Sequence, residues 1–255
     1  MYARYAEGVV EHLESNQYKT AILAAQIASF HKTTGNIGKA LSYYDNSNQI
    51  RKKLCDENPD NERYKYSLTV SFSRLGDTFS TLGDLEKALG FFKKSQQLSE
   101  ELYKKNPEKV SFKNGLAISY SNIGATYLLL DQWEKALSFF KKDTALSEEL
   151  YEANRHNVSF KYGLAISYGQ LGDTFKTLDQ PEKALSFFEK QTELLEELYD
   201  ANRANVSVKN GLSISYEKLG DAYLSLAQLE KALSYYIIIS LTSCLKSCTR
   251  RTRLM

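Results

Sequence analysis

The segment EKALSFF, Glu134 to Phe140, is written again without change at Glu182 to Phe188. EKALGFF occupies Glu86 to Phe92 and EKALSYY occupies Glu230 to Tyr236, so the phrase recurs every 48 residues. A phrase returning at a constant interval marks a structural unit that recurs with it. Five copies align on this period, the first diverged. One column reads Ile27, Leu75, Ile123, Leu171, Leu219, and the next reads Ala28, Gly76, Gly124, Gly172, Gly220. His31, Phe79, Tyr127, Phe175 and Tyr223 follow three residues later. Ala40, Ala88, Ala136, Ala184 and Ala232 are each followed by leucine and, four residues on, by Tyr44, Phe92, Phe140, Phe188 and Tyr236.

These offsets are helical. Leu116, Tyr120, Ile123, Tyr127 and Leu130 step by four and three, one apolar stripe along a helix. A second stripe runs from Trp133 through Ala136, Leu137 and Phe140 to Leu146, Leu150 and Tyr151. Each copy is therefore a helical hairpin, helix A followed by helix B. The spacing predicts helices over 17–34, 37–57, 62–82, 85–105, 110–130, 133–153, 158–178, 181–201 and 206–226, with a tenth beginning near 229. Asp131 and Asp179, three residues before Glu134 and Glu182, suit a capping box for helix B, and Pro181 suits its first turn. Asn58-Pro59 and Asn106-Pro107 mark the end of helix B. Ser111, Ser159 and Ser207 are placed to cap helix A. Glycine inside a helix costs about 1 kcal/mol relative to alanine. The Gly76 column therefore predicts a close approach by helix B, with the alanine column facing it.

Composition narrows the function. With 42% hydrophobic and 25% charged residues among 255, the chain can bury a core, and three prolines leave it free to run long helices. Net charge of +2, from 33 basic and 31 acidic residues, gives no pull towards nucleic acid or acidic lipid. No signal-peptide core is present, and no apolar run approaches the roughly 18 residues that span a bilayer. Cys55, Cys244 and Cys248 lack disulfide-framework or zinc spacing, so a cytoplasmic chain with reduced thiols is expected.

LGDTFSTLGDLEKALGFF, Leu75 to Phe92, resembles the core of a tetratricopeptide repeat: L-G-x-x-Y/F, then G-D-x-E-K-A-L-x-x-F/Y. Four copies match well, and IASFHKTTGNIGKALSYY, Ile27 to Tyr44, matches more loosely. The family's period is about 34 residues, and the surplus here amounts to about seven residues in each helix. Seven residues are nearly two turns, so both helices lengthen without rotating their apolar stripes. The resemblance implies an all-α, right-handed α-solenoid of about five antiparallel helical hairpins. Its organisation is expected to be a partial helix of an incomplete repeat over 1–13 and an array over 14–236. The repeats fall at about 14–61, 62–109, 110–157, 158–205 and 206–236. Over 237–255 the periodicity is lost: Ile237, Thr242 and Lys246 stand where earlier copies carry Lys93, Leu98 and Leu102. Two readings of this atypical tail stand side by side. One is a basic segment (Arg250, Arg251, Arg253) docking an acidic partner; the other is an end altered by a frame change or truncation.

No catalytic, cofactor or metal site is expected. His12, His31 and His156 are isolated, with no histidine or cysteine at metal-ligand spacing, and no nucleophile elbow, phosphate loop or dinucleotide fingerprint occurs. The pairs Glu100-Glu101, Glu148-Glu149 and Glu196-Glu197 do not share a helix face and read as solvated surface. The aromatic pairs, such as Phe139-Phe140, read as core packing, not as base-stacking platforms. Asn157-Val-Ser and Asn205-Val-Ser match a glycosylation acceptor but carry no weight without a secretory signal.

The resemblance implies a protein-interaction scaffold, not an enzyme, whose helices A line a concave groove for a partner peptide or helix. The groove residues it implies are Arg74, Asp77, Asn122, Gln170, Asp173, Lys218 and Asp221. Their chemistry varies between copies where the core columns do not. The clamp by which some members hold chaperone carboxylates is absent. Its lysine–asparagine places hold Ser73 and Asp77, Ser121 and Ala125, or Gly169 and Asp173, and its lysine–arginine places hold Val70 and Arg74, or Ile166 and Gln170. A protein partner is expected, with neither nucleic acid nor membrane. The alternatives are a regulatory or sensing segment of a larger protein and a self-assembling spacer.

Overall fold

The computed structural model describes residues 16–251, with side chains described as far as residue 240; the expected partial helix over 1–13 lies outside that span. Ten helices occupy it, with no strand among the described residues. They are α1 (Gln17–Thr33), α2 (Ile37–Glu57), α3 (Glu62–Thr81), α4 (Leu85–Lys105), α5 (Val110–Leu129), α6 (Trp133–Ala153), α7 (Val158–Thr177), α8 (Pro181–Ala201), α9 (Val206–Ser225) and α10 (Leu229–Arg251). Odd-numbered helices are helices A and even-numbered ones helices B. Helices α1 to α5 form one compact unit and α6 to α10 another, and within each the helices pack in chain order, as in an α-solenoid.

Each letter of the repeated phrase has a place in this packing. The glutamate lies in the first turn of helix B, where the helix dipole favours an anion. Lysines 87, 183 and 231 stand over the rings of Phe79, Phe175 and Tyr223 at 5.0 to 5.5 Å. The alanine is fully buried. The first aromatic stacks on the aromatic of its own helix A, as in Phe79–Phe91 (5.4 Å), Phe175–Phe187 (5.5 Å) and Tyr223–Tyr235 (5.7 Å). His31 takes the same place against Tyr43 at 5.7 Å, which accounts for a buried histidine without a ligand role.

The second aromatic explains the glycine column. A Cβ at Gly76 would lie 2.5 Å from Phe92, one at Gly220 would lie 2.8 Å from Tyr236, and one at Gly172 would strike Phe188. Helix B thus fills the slot with a ring edge. The expectation that alanine faces the glycine is corrected: the ring four residues further on reaches it, because only a long side chain spans the gap.

Two capping expectations also change. Asp131 and Asp179 do not cap helix B; both have φ of 55° and hold the left-handed turn residue that Gly35 and Gly83 (φ 79°) hold in earlier copies. Ala227 follows at φ 56°. The cap is the next residue. Asn36 and Asp84 accept from Lys39 and Lys87 backbone N–H, whereas Gln180 makes no such bond. Pro181 sits in the first turn, where it lacks no needed donor. Helix A is capped by Asn61, Asn157 and Asn205, not by the serines two residues later, which already lie inside the helix. That accounts for the asparagine of both Asn-Val-Ser matches. Asn58 and Asn106 end α2 and α4. Beyond Tyr236 the backbone of α10 stays helical to Arg251, so loss of the repeat pattern does not end the helix.

Candidate functional site

The candidate residues stand three apart on their helices A, 74 with 77, 170 with 173 and 218 with 221, and so share one helix face. In α3, Arg74 is half-buried. Its guanidinium donates to the Ala25 carbonyl of α1 at 3.4 Å and lies 5.9 Å from the Tyr44 ring. Asp77 stands exposed one turn later. Asn122 of α5 is half-buried, and its backbone carbonyl accepts the Thr126 hydroxyl at 2.8 Å. Gln170 of α7 accepts Thr174 in the same way at 2.7 Å.

In the second unit the charged members are held against each other. Lys218 of α9 donates to Asp173 of α7 at 2.7 Å, and Lys176 of α7 donates to Asp221 of α9 at 2.9 Å. Burial raises the Asp221 pKa, but donors from Lys176 and Tyr236 outweigh it and hold this carboxyl below the usual range. Exposed pairs of this kind contribute about 0 to 1 kcal/mol each. They stitch successive helices A together and cancel the charge that sequence reasoning offered to a ligand.

An aliphatic column went unnoticed as a site. Ile22, Val70, Ile118, Ile166 and Ile214 each stand one turn before the polar column. Val70 is half-buried, while Ile118, Ile166 and Ile214 are 48, 45 and 52% exposed. Isolated exposed aliphatics are ordinary, but a β-branched residue at one register of every helix A, exposed in four of the five, is not scatter. The sequence signal was present: five β-branched residues in a column outside the apolar stripe.

The glutamate pairs are not idle surface, which corrects that expectation. Glu100, Glu148 and Glu196 each accept the hydroxyl of Tyr120, Tyr168 or Tyr216 from the next helix A at 2.8 Å. The second members reach back: Glu101 pairs with Lys65, and Glu197 with Lys161, of their own helix A. Neighbours in sequence point about 100° apart, so one pair binds two different helices. Burial and the accepting carboxylate push all three tyrosines above the usual phenol range. In the second hairpin the column reads Phe72, and its partner place holds Lys52. The hydroxyl is absent where the carboxylate is.

The Cys55 thiol is pushed up to about 11 by burial and then by Asp56, which keeps it from acting as a nucleophile. Among the described residues no three His, Cys, Asp or Glu side chains gather as metal ligands would, and no helix is long and apolar enough to cross a membrane.

Family profiles described as tetratricopeptide repeat match residues 71–102 and 115–197. A comparison with curated protein sequences returns no match. Among solved structures, BtubC (BKLC) from P. vanneervenii superposes with a TM-score of 0.73 at 15% identity, over 96% of this chain and 88% of its own. A putative kinesin light chain from Podosopora anserina with nearly identical TPR-like repeats gives 0.65 at 12%, over 91% and 98%. A signal transduction ATPase with numerous domains (STAND) and a tetratricopeptide repeat sensor, PH0952 from Pyrococcus horikoshii, gives 0.60 at 18%. It is matched over 96% of this chain and 36% of its own. Identities this low speak for the fold alone. With the profiles falling on the repeated hairpins themselves, the chain belongs to the tetratricopeptide repeat family.

Proposed function

We propose that this chain is a protein–protein interaction scaffold that holds an extended or helical segment of a partner along the faces of its helices A. Repeats of the family generally mediate protein–protein interaction, which supports the class; the site is argued from the residues. The observation that carries it is the exposed aliphatic column Ile118, Ile166, Ile214 beside a polar place that holds Arg74, Asn122, Gln170 and Lys218 in the last four copies. Covering one such half-exposed isoleucine contributes about 1 kcal/mol. The column supplies affinity in equal steps, and the neighbouring places, Arg74, Asn122, Gln170 and Lys218 with Asp77, Asp173 and Asp221, supply selectivity.

Because Lys218 and Asp173 are already paired, the partner segment is mainly apolar on its inward side, with polar groups at its flanks. The scaffold carries no chemistry of its own and works in the cytoplasm. The test is capture of partner from lysate of the source cell by the full chain and by Ile166→Asp/Ile214→Asp. A surface control, Ser186→Asp on the exposed side of α8, accompanies it. Capture falls at least about tenfold, or 1.4 kcal/mol, in the double variant and holds in the control. Equal capture by all three refutes the reading. A second reading, the sensing segment of a larger protein, is favoured by the likeness to the STAND protein's repeat array.

A further inference from the structure

The first hairpin carries an arginine for which the repeat has no structural use. Arg51 of α2 is only 7% exposed, yet its column in later copies holds Ser99, Ser147 and Leu195. Packing of a hairpin therefore does not call for a cation there. Its Nη1 donates to Ser47 Oγ at 2.8 Å, and that hydroxyl donates onward to the Ala21 carbonyl at 2.7 Å. Its Nε is buried and has no partner among the described residues. Burial and then the charge of Arg74 pull the Arg51 pKa below the usual arginine range, against the Tyr18 phenol.

Arg74 is no better satisfied. It holds one long bond to the Ala25 carbonyl, 3.4 Å, and the face of Tyr44. Asp77, one turn on in α3, feels both Arg74 and Lys32, but among the described residues no carboxylate lies within ion-pair distance of Arg51 or Arg74. A guanidinium cannot shed its proton to relieve burial. Both lie against α1, through Ala21 and Ala25, and among the described residues no anion offsets their charge.

We propose that Arg51 and Arg74 form a binding site for an oxyanion, a carboxylate or phosphate group carried by the partner, entering between α1 and α3. Arg51 offers its free Nε, and Arg74 gives up its weak bond to Ala25 to share the same group. Planar guanidinium forks suit two-point binding of such oxygens. That the oxyanion arrives on a protein partner rests on the proposed function; the site itself does not.

The experiment titrates the purified full chain with inorganic phosphate and, separately, with glutarate, at ionic strength held constant with chloride. Thermal unfolding and calorimetry are both followed. A saturable rise in Tm with one or both anions is expected, phosphate alone assigning a phosphoryl group and glutarate alone a carboxylate. Arg51→Met and Arg74→Gln each weaken it at least about tenfold. In anion-free buffer Arg51→Met melts no lower than the parent, since it removes an uncompensated buried charge; Arg51→Lys replaces it should it fail to fold. No saturable response to either anion, or a parental response in both variants, overturns the proposal. Ile166→Asp/Ile214→Asp keeps the anion response while losing partner capture. A chain that captures its partner through the aliphatic column but ignores both anions fails this proposal alone.

Discussion

Replacing Gly172 and Gly163 by alanine, one at a time, should move stability in opposite directions although both lie in α7. Alanine gains about 1 kcal/mol over glycine in a helix interior at either place. At Gly163 a new methyl meets no atom within 4 Å, so the gain stands whole. At Gly172 the methyl runs into Cε1, Cδ1 and Cζ of Phe188, a ring with no exposed surface and nowhere to retreat. Overpacking of that kind costs about 1 to 3 kcal/mol. Gly172→Ala is therefore neutral to about 2 kcal/mol destabilised, and the two variants differ by about 1 to 3 kcal/mol. Urea unfolding followed by helical circular dichroism reads this as midpoints on either side of the parent. Sign and order are the readout, since a repeat array need not unfold in two states. Phe188→Leu should also cost less in the Gly172→Ala background than alone, because the two share one slot. If Gly172→Ala raises the midpoint as far as Gly163→Ala does, the glycine column does not exist to receive the aromatic ring.

The turn and the buried polar contacts give further tests. Ala227→Gly should stabilise the last hairpin by about 1 kcal/mol, because φ of 56° strains an L-residue and not glycine; a lower melting temperature refutes this. Asp143 is buried in α6 with Ser167 (2.8 Å) and Ser147 (3.3 Å) as donors, and burial lifts its carboxyl from 3.8 to about 6. A folded pKa above the unfolded one means stability is full below about pH 4, falls as pH rises from there through about 6, and changes little beyond. The loss is about 3 kcal/mol at about 1.4 kcal/mol per decade. Asp143→Asn should flatten that slope and melt higher at pH 7.5, and an unchanged pH profile counts against it. Tyr168→Phe should cost about 1 kcal/mol by removing the bond to Glu148, measured by urea midpoint, with no loss for a Glu148→Lys/Tyr168→Phe pair beyond the single change.

Most of the fold was legible because the period repeats its own evidence. Ala40, Phe92 and Leu219 each stand in a column whose other members agree, and helix bounds fall within a residue of those predicted. The misreadings share a cause: one local pattern with two physical meanings. Asp179 before Glu182 fits a capping box, and only Gly35 and Gly83 in the same column reveal a left-handed turn. Glu148-Glu149 looks like solvated surface because adjacency hides that each carboxylate faces a different helix. The candidate site was legible only as a face. Which polar residues are spent on each other, as Lys218 is on Asp173, depends on helix-to-helix distance. Likewise, nothing in the letter isoleucine says that Ile118 and Ile166 stay uncovered while Ile123 is buried.

The claim that the helix-A face is the binding surface is tested most directly by a photo-reactive amino acid placed, in the living source cell, at Ile166, at Ile214 and at Ser186. The account predicts covalent adducts of one and the same partner from Ile166 and Ile214 and none from Ser186. Adducts from Ser186 alone, or equal adducts from all three positions, would contradict it.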